Sequence, residues 1–271
     1  MREMMLTAAR VALLVYGGML LLLAGCQRRF IYYPSQSSEA DAIHHARISG
    51  LIPWRDSAGQ IMGWKAARPP AEADAMLLFH GNAGSAVHRD YFVQGFAPYL
   101  AVHVMEYPGY GPRSGKPSEK AFMEAGQAAL EQLRRERPGR IFLGGESLGT
   151  GVACRLAGAN PETVSGVFLS TPFTSLAELA RSHYPIFPVR WFLRDRFENV
   201  RHLQSYAGPV AVLLAGQDEV VPVRLGQKLY ESYAGPKRLW IQDDRSHNTL
   251  NYSPQLSLWR EAAGFLMSPA P

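Results

Sequence analysis

The sequence predicts a doubly wound α/β domain with a mostly parallel sheet, an antiparallel N-terminal edge and a short lid. Three observations lead to this fold class. Short apolar runs alternate with helix-compatible runs, a hairpin pattern precedes them, and 271 residues with 47% hydrophobic side chains can bury one large core. Because the apolar runs are nearly continuous, each strand should be buried on both faces, as in a parallel sheet covered by helices.

The first 25 residues have the composition of an export signal. Arg2 and Arg10 lie in a short charged start, and residues 11–25 are apolar or glycine, shorter than the roughly 20 residues of a membrane-spanning helix. The run ends in "LLAGC", which resembles the bacterial lipobox, where the signal is cut and the cysteine is lipidated. This predicts a lipoprotein signal over residues 1–25 and lipidation of Cys26. An uncleaved signal anchor that starts near Ala8 is the alternative, and both forms tether the protein to a membrane.

Composition and charge narrow the function classes. The formal net charge is +5, but no Lys/Arg stripe with interleaved aromatics occurs, so we expect no nucleic-acid partner. Cys154 is the only other cysteine, so an acylated Cys26 leaves no intramolecular disulfide. His44 and His45 are adjacent and have no partner at metal-ligand spacing, so we expect no metal site.

The elements follow in order after the signal. Residues 26–49 are predicted to form a membrane tether and a polar lead-in, and residues 50–271 form the main domain. The stretch "WRDSAGQIMGW" predicts a hairpin that turns at Asp56 to Gly59. Predicted strands cover residues 75–80, 101–107, 140–145, 164–170, 209–216 and 237–242. One predicted helix has Ser118 as its N-cap, stops at Pro138-Gly139, and places Phe122, Ala125, Ala129 and Leu133 on one face.

A serine between glycines, in "GGESLGTG" (144–151), comes directly after the predicted strand at 140–145. Ligands bind at the carboxyl ends of strands in such sheets. The spacing Gly145-x-Ser147-x-Gly149 fits a nucleophile elbow, a strand-to-helix turn so tight that its flanking residues must lack bulk. A glycine-rich joint without chemistry is the alternative. Ser147 is the candidate nucleophile.

A serine hydroxyl needs a histidine base that is oriented by a carboxylate. Asp218 lies two residues past the predicted strand "VAVLLAG", and His247 lies in a polar loop after "KRLWIQ". Their order, serine, aspartate, histidine, is that of α/β hydrolase triads. The rival base is His80, which precedes the nucleophile.

Asp243 and Asp244 are rival acids. They lie in the same loop as His247 and, as loop carboxylates, are expected to be solvated. We rank Asp218 ahead of both on its position after a strand.

An oxyanion hole is predicted from "LLFHGNAGS". In such folds the loop after the third strand gives one backbone N–H, and the residue after the nucleophile gives the other. The donors here would be Asn82 and Leu148. The Asn82 side chain is also a candidate cap for a helix that starts near Ser85.

Six motifs together resemble the α/β-hydrolase superfamily: "HGNAG", "YPGYG", "GESLGTG", "TPFTSL", "GQDEVVP" and "SHNTL". They are similar to its serine hydrolase branch with an HGNAG oxyanion loop, which includes depalmitoylating thioesterases and prolyl oligopeptidase-like proteins. Thr150 departs from relatives that carry a third glycine. The resemblance covers residues 28–266 and implies the α/β-hydrolase fold, the Ser147, Asp218 and His247 triad, and no cofactor.

The function expected from these residues is the cleavage of an ester or thioester by a membrane-tethered serine hydrolase. A peptidase or amidase of the same fold is the alternative, and a non-catalytic envelope scaffold is the alternative of another class. Relatives insert a lid where this chain has an aromatic, proline-rich stretch, so a short lid is predicted at about residues 176–205. We expect a monomer. In Gram-negative lipoproteins an Asp after the lipidated cysteine commonly signals inner-membrane retention, so Gln27 at that position implies the outer membrane, facing the periplasm.

Overall fold

An eight-stranded sheet forms the centre of the domain in the computed structural model, which describes residues 1–70 and 74–268. Residues 71–73 and 269–271, which belong to the predicted main domain, lie outside the described residues. The ten strands in the described residues are β1 (Tyr33–Pro34), β2 (Leu51–Arg55), β3 (Ile61–Ala66), β4 (Ala75–Phe79), β5 (Ala83–Gly84), β6 (Ala101–Met105), β7 (Ile141–Glu146), β8 (Val164–Ser170), β9 (Val210–Ala215) and β10 (Lys237–Gln242). Eight of the ten form this sheet, and β1 and β5 lie outside it.

The strand order is β10-β9-β8-β7-β4-β6-β3-β2, and β1 and β5 form a separate parallel pair. Only the two pairings of β3, with β2 and with β6, are antiparallel; the other five are parallel. The predicted mostly parallel sheet with an antiparallel N-terminal edge is therefore confirmed. The hairpin turns at Asp56, whose carboxylate accepts hydrogen bonds from the N–H groups of Ala58 and Gln60.

Helices cover both faces of the sheet. They are α1 (Arg2–Ile31), α2 (Glu39–Ile48), α3 (Asp90–Phe96), α4 (Glu119–Glu136), α5 (Gly149–Ala159), α6 (Leu176–His183), α7 (Val189–Phe192), α8 (Asn199–Leu203), α9 (Val223–Ser232) and α10 (Ser257–Met267), with a 3₁₀ turn at Ala86–His88. Each face of the sheet has its own cluster of buried apolar side chains. The carboxyl ends of the parallel strands meet at one edge, where a ligand can bind.

Local sequence explains the regular elements. All side chains of β4, β6 and β9 are buried, as their continuous apolar runs require. In α4 the predicted face is buried, and the Ser118 hydroxyl caps the helix by accepting a hydrogen bond from the Ala121 N–H.

The N-terminal segment is one continuous helix of 30 residues, α1, which runs through Cys26 to Ile31. It ends where Tyr32 becomes extended, two residues before Pro34. The lead-in then forms β1 and α2, and α2 buries Ala42 and Ala46. Helix α1 is long and apolar enough to cross a membrane, a property that signal sequences share. The chain therefore has an N-terminal apolar helix of the kind found in signals and membrane anchors.

The connection from β8 to β9 contains α6, α7 and α8. We refer to residues 176–205 as the lid segment. Its tip carries exposed apolar side chains, including Ile186 at 72% and Trp191 at 83% exposure. These side chains are not core.

Candidate active site

Ser147 occupies the sharp turn between β7 and α5, with a φ of +50°. This left-handed conformation is uncommon outside glycine and places strain at the turn. A Cβ on Gly145 would lie 2.6 Å from the Thr150 Cα, and one on Gly149 would collide with the carbonyl oxygen of Phe79. The two glycines are therefore required by close backbone approach on both sides of the serine.

Asp218 and His247 meet at the same edge of the sheet. The His247 Nδ1 lies 2.7 Å from the Asp218 Oδ2, and the Asp218 side chain is only 2% exposed. The other carboxylate oxygen accepts the N–H groups of Val220 and Val221 at 2.9 and 2.6 Å. These two bonds fix the carboxylate, which in turn orients the imidazole.

Ser147 and His247 are not joined by a hydrogen bond among the described residues. The side-chain partner of His247 there is Asp218. Catalytic hydrogen bonds are often long without substrate and tighten in the complex. The structure thus brings the predicted acid and base together. It places the predicted nucleophile after β7, which lies two strands from β9, the strand that precedes Asp218.

The rival residues lie elsewhere. Asp243 and Asp244 are exposed, and Asp244 forms an ion pair with the neighbouring Arg245, at 3.6 Å. His80 is fully buried: its Nδ1 lies 2.8 Å from the Gly81 carbonyl oxygen. Its Nε2 is 3.3 Å from a Glu106 oxygen but is not aligned for a hydrogen bond. Among the described residues, none of the three rivals forms a hydrogen bond or ion pair with Asp218 or His247.

Two backbone N–H groups are available beside Ser147. Within the described ranges neither the Asn82 N–H nor the Leu148 N–H donates a hydrogen bond to another protein group. The Asn82 side chain does not cap the turn at Ala86–His88, as the sequence suggested; it donates to the carbonyl oxygen of Ile31 at 3.0 Å. Asn82 is thus tied to the end of α1.

Tyrosine hydroxyls hold the loop "HGNAG" in place. Tyr107 donates to the His80 carbonyl oxygen at 2.9 Å, and Tyr110 donates to the Asn82 carbonyl oxygen at 2.8 Å. Both tyrosines belong to the motif "YPGYG". Their hydroxyl partners lie 27 and 28 residues earlier in the chain.

Glu146 links the elbow to the loop "HGNAG", the predicted oxyanion loop. Its carboxylate accepts the Gly81 N–H at 3.1 Å, the Arg89 Nε at 2.6 Å and the Tyr91 hydroxyl at 2.8 Å. Burial raises the pKa of Glu146, but the charge and hydrogen bonds of Arg89, with those of Tyr91 and Gly81, outweigh it and hold the pKa below its usual value. Glu146 is therefore ionised and fixed. The motif "GESLG" marks its position but not this role.

An apolar cavity of about 500 Å³ opens onto the elbow, and Ser147, Leu148 and Asn82 contribute to its lining. Its walls come from α1, from the lid segment and from residues 219–221. Its size lies within the usual range for pockets that bury a small ligand. Among the described residues no cluster of His, Cys, Asp and Glu could hold a metal ion.

A family model described as "Alpha/beta hydrolase family" matches residues 76–269. The chain belongs to this family. An uncharacterized protein of Mycobacterium tuberculosis is 32% identical to this α/β hydrolase over 250 residues, which cover 90% of the chain and 88% of the relative. A lysophosphatidylserine lipase of Danio rerio is 34% identical over 225 residues, 73% of the chain. The chain spans about half of that lipase, 56%.

Solved structures share the fold of this α/β hydrolase. A putative lipase from Acinetobacter baumannii has a TM-score of 0.62 at 15% identity and covers 83% of the chain and 94% of its own length. A monoacylglycerol lipase from Paleococcus ferrophilus has a TM-score of 0.54 at 18% identity and covers 73% of the chain and 95% of its own. The relatives and structural neighbours include lipases and esterases, which supports a hydrolase.

Two further residues near the elbow, Cys154 and Thr150, can be placed in this α/β hydrolase. Cys154 is fully buried in α5, and burial raises the pKa of its thiol well above the usual value, so it is a core side chain. Thr150, which departs from the family's third glycine, is also buried, and its hydroxyl donates to the Ser147 carbonyl oxygen at 2.6 Å. The β-branched residue therefore adds a hydrogen bond to the elbow.

Proposed function

We propose that the protein is a membrane-tethered serine hydrolase that cleaves carboxylic esters or thioesters through an acyl-enzyme. Ser147 is the nucleophile, His247 is the general base and acid, and Asp218 orients the imidazole. The N–H groups of Asn82 and Leu148 form the oxyanion hole. No metal or organic cofactor takes part in these steps.

The proposed reaction has two halves, acylation of Ser147 and hydrolysis of the acyl-enzyme. The Ser147 Oγ bonds to the carbonyl carbon while its proton passes to the His247 Nε2, and the carbonyl oxygen becomes the oxyanion. When the intermediate collapses, the bond to the alcohol or thiol breaks and the leaving group takes the proton from His247. Water then attacks the acyl-enzyme, gives its proton to His247, and the carboxylic acid leaves as the serine recovers its proton.

One observation carries the proposal: a carboxylate-oriented imidazole lies at the same sheet edge as Ser147, which occupies a strained turn, lines the apolar cavity and has beside it two N–H groups that donate no hydrogen bond among the described residues. The 2.7 Å bond between His247 and Asp218 leaves the His247 Nε2 available to accept a proton. A relic scaffold has no need for a serine at φ +50°. The combination favours catalysis over a purely structural role.

The apolar cavity favours a substrate with an acyl chain. Its lining offers few polar groups to recognise a peptide backbone. A relative named as a lysophosphatidylserine lipase has a lipid ester as its substrate by name. We therefore place lipid esters first, acyl thioesters such as palmitoyl thioesters second, and amides third.

Labelling with a fluorophosphonate probe tests the nucleophile. The wild-type chain should react and the Ser147→Ala chain should not, whereas equal labelling would exclude Ser147. A panel of carboxylic esters, acyl thioesters and aminoacyl amides then ranks the reactions by kcat/KM. Faster cleavage of the amides would replace the esterase proposal with a peptidase, and no labelling with no cleavage would favour the scaffold.

The form of the tether is a question separate from the chemistry. The prediction from "LLAGC" is processing before Cys26, lipidation of that cysteine, and sorting to the outer membrane with the domain in the periplasm. The alternative is that α1 itself remains as the anchor. Mass spectrometry of the purified protein distinguishes a lipidated Cys26 at the N-terminus from an intact chain that begins at Met1, and either result leaves the hydrolase proposal unchanged.

A further inference from the structure

Helix α1 packs one face against the catalytic domain. Residues 2–15 are exposed on all sides, but from Tyr16 onward the less exposed positions recur three or four residues apart, the period of one helical face. The less exposed residues at this spacing are Tyr16, Leu20, Leu23, Ala24, Gln27 and Ile31, and their chain neighbours Gly17 and Cys26 are also partly shielded. On the opposite face, Leu21 and Leu22 are 77% and 61% exposed. At 1.5 Å per residue, this contact extends roughly 22 Å along the helix.

Polar bonds fasten this face of α1 to the lid segment. The buried Gln27 amide donates to the Phe192 carbonyl oxygen at 3.1 Å and accepts the Arg194 N–H at 2.7 Å. The Arg28 guanidinium binds Asp195, whose side chain is only 5% exposed, at 2.9 Å. The buried amide of α1 is paired with the lid segment, and the buried carboxylate of the lid segment is paired with α1, which indicates a specific contact.

A third tie lies further from the catalytic domain. The Tyr16 hydroxyl donates to the Ile186 carbonyl oxygen at 2.8 Å, and the Tyr16 ring stacks on Phe187 with centroids 5.7 Å apart. The tip of the lid segment, with its exposed Ile186 and Trp191, therefore lies beside the apolar part of α1. Wherever α1 enters a bilayer, this tip meets the same bilayer.

The cavity lies between these two elements. Leu20, Leu23 and Ala24 of α1 form one wall, Phe187 and Phe192 belong to the lid side, and Ser147 lies at the catalytic end. A chain that began at Cys26 would lack all three α1 residues. The wall of the cavity is thus made by the helix that is also the candidate membrane anchor.

We propose that α1 stays on the mature protein and forms, with the lid segment, the binding site for one acyl chain of a membrane-resident lipid ester. The inference rests on the proposed function and adds the substrate's location and the route of its acyl chain. The acyl chain of the substrate moves from the bilayer along α1 to Ser147 and stays in apolar surroundings throughout. The ester carbonyl then reaches the N–H groups of Asn82 and Leu148.

The test compares Ala24→Trp, which fills the cavity, with Leu22→Trp on the lipid-facing side of α1. Full-length protein in phosphatidylcholine vesicles is assayed with palmitoyl glycerol in the bilayer and with a soluble butyrate ester. The kcat/KM for palmitoyl glycerol, divided by the kcat/KM for the butyrate ester, should fall about tenfold or more in Ala24→Trp, as expected for a lost apolar pocket contact. The same ratio should change by less than about twofold in Leu22→Trp. Equal ratios in the two variants would overturn the proposal.

A second pair of variants guards against poor folding of Ala24→Trp. Leu20→Ala widens the cavity and should shift the preference among acyl lengths, whereas Leu21→Ala should not; the same profile in both would contradict the proposal. Mass spectrometry should find residues 1–25 on the active protein, and an active chain that begins at Cys26 would also overturn it. Failure of the proposed function has a different signature, because Ser147→Ala would then still cleave the soluble ester.

Discussion

Asp218, and not the two exposed carboxylates near His247, is the acid that the geometry favours. Ser147→Ala should lower kcat by roughly 10⁴ to 10⁶, as in other serine triads. Asp218→Asn should also be severe, because an amide cannot hold the imidazole in the same tautomer. Asp244→Asn is the matched control and should retain wild-type activity. The measurement is kcat on a soluble ester, and the reverse ranking of the two aspartate variants would move the acid to the loop of His247.

Gly149 is the residue at which the elbow is least tolerant of a side chain. A methyl group there collides with the Phe79 carbonyl oxygen at the end of β4, just before the oxyanion loop. Gly149→Ala should cost about 1–3 kcal/mol in the free energy of unfolding and reduce kcat. Gly264→Ala in the exposed part of α10 meets nothing within 4 Å and should stabilise by about 0.5–1 kcal/mol. Denaturant unfolding of both variants measures the difference; equal stabilities would contradict the close approach.

At the scale of elements, Glu146 connects the end of β7 to the loop after β4. Glu146→Gln leaves Arg89 without its carboxylate and loosens the Gly81 N–H, so the oxyanion loop should lose its position. We expect kcat to fall about ten- to a hundredfold, with KM changed by less than about twofold because the cavity is intact. Glu124→Gln removes an exposed ion pair with Lys120 and serves as the control. A rise in KM without loss of kcat would assign Glu146 to substrate binding instead.

The strand β6 carries a buried histidine that makes stability depend on pH. His103 is 2% exposed, and burial, with a smaller effect of Lys65, lowers its pKa to about 4, although the Ala101 carbonyl oxygen opposes this. The unfolded chain binds a proton near the ordinary histidine pKa of about 6.5, so stability is lost as pH falls from about 6.5 to 4. For a group this well buried the loss is about 3 kcal/mol.

His103→Gln should remove that share of the pH dependence. Between about pH 7.5 and 4 the wild type should lose about 3 kcal/mol more than the variant. His202, whose pKa burial also lowers to about 4, is present in both proteins and cancels in the comparison. Denaturant unfolding of the full chain in detergent micelles measures both slopes, and parallel slopes would exclude His103 as the source.

The elements that the sequence predicts well are those with a local signal. The apolar runs at 164–170 and 237–242 coincide with β8 and β10, and Ser118 caps α4 as expected. What the sequence missed depends on pairs that are distant in the chain and have no periodic pattern. The hydroxyl bonds of Tyr107 and Tyr110 to the oxyanion loop are of this kind, and so are the Gln27 contacts, which join residues more than 160 apart. Sequence periodicity describes one element at a time, and such bonds join two.

For the whole molecule, two attachments converge at the sheet edge that carries the candidate active site. The Asn82 side chain holds the end of α1 at Ile31, and Gln27 and Arg28 hold the lid segment. The oxyanion loop, α1 and the lid segment are therefore linked within a few residues of each other. With no disulfide between Cys26 and Cys154, the two apolar clusters on the faces of the sheet and these polar ties stabilise the arrangement.

The fastening of the lid segment to α1 has a kinetic consequence. If the helix stays in the bilayer, the catalytic serine remains at a fixed height above the lipid surface and samples substrate in two dimensions. Its rate then follows the mole fraction of the ester among the surrounding lipids, which acts as the effective concentration, and not the amount of ester per volume of solution. Adding inert phosphatidylcholine vesicle lipid at constant total ester should slow the wild-type protein, while cleavage of a water-soluble ester stays the same.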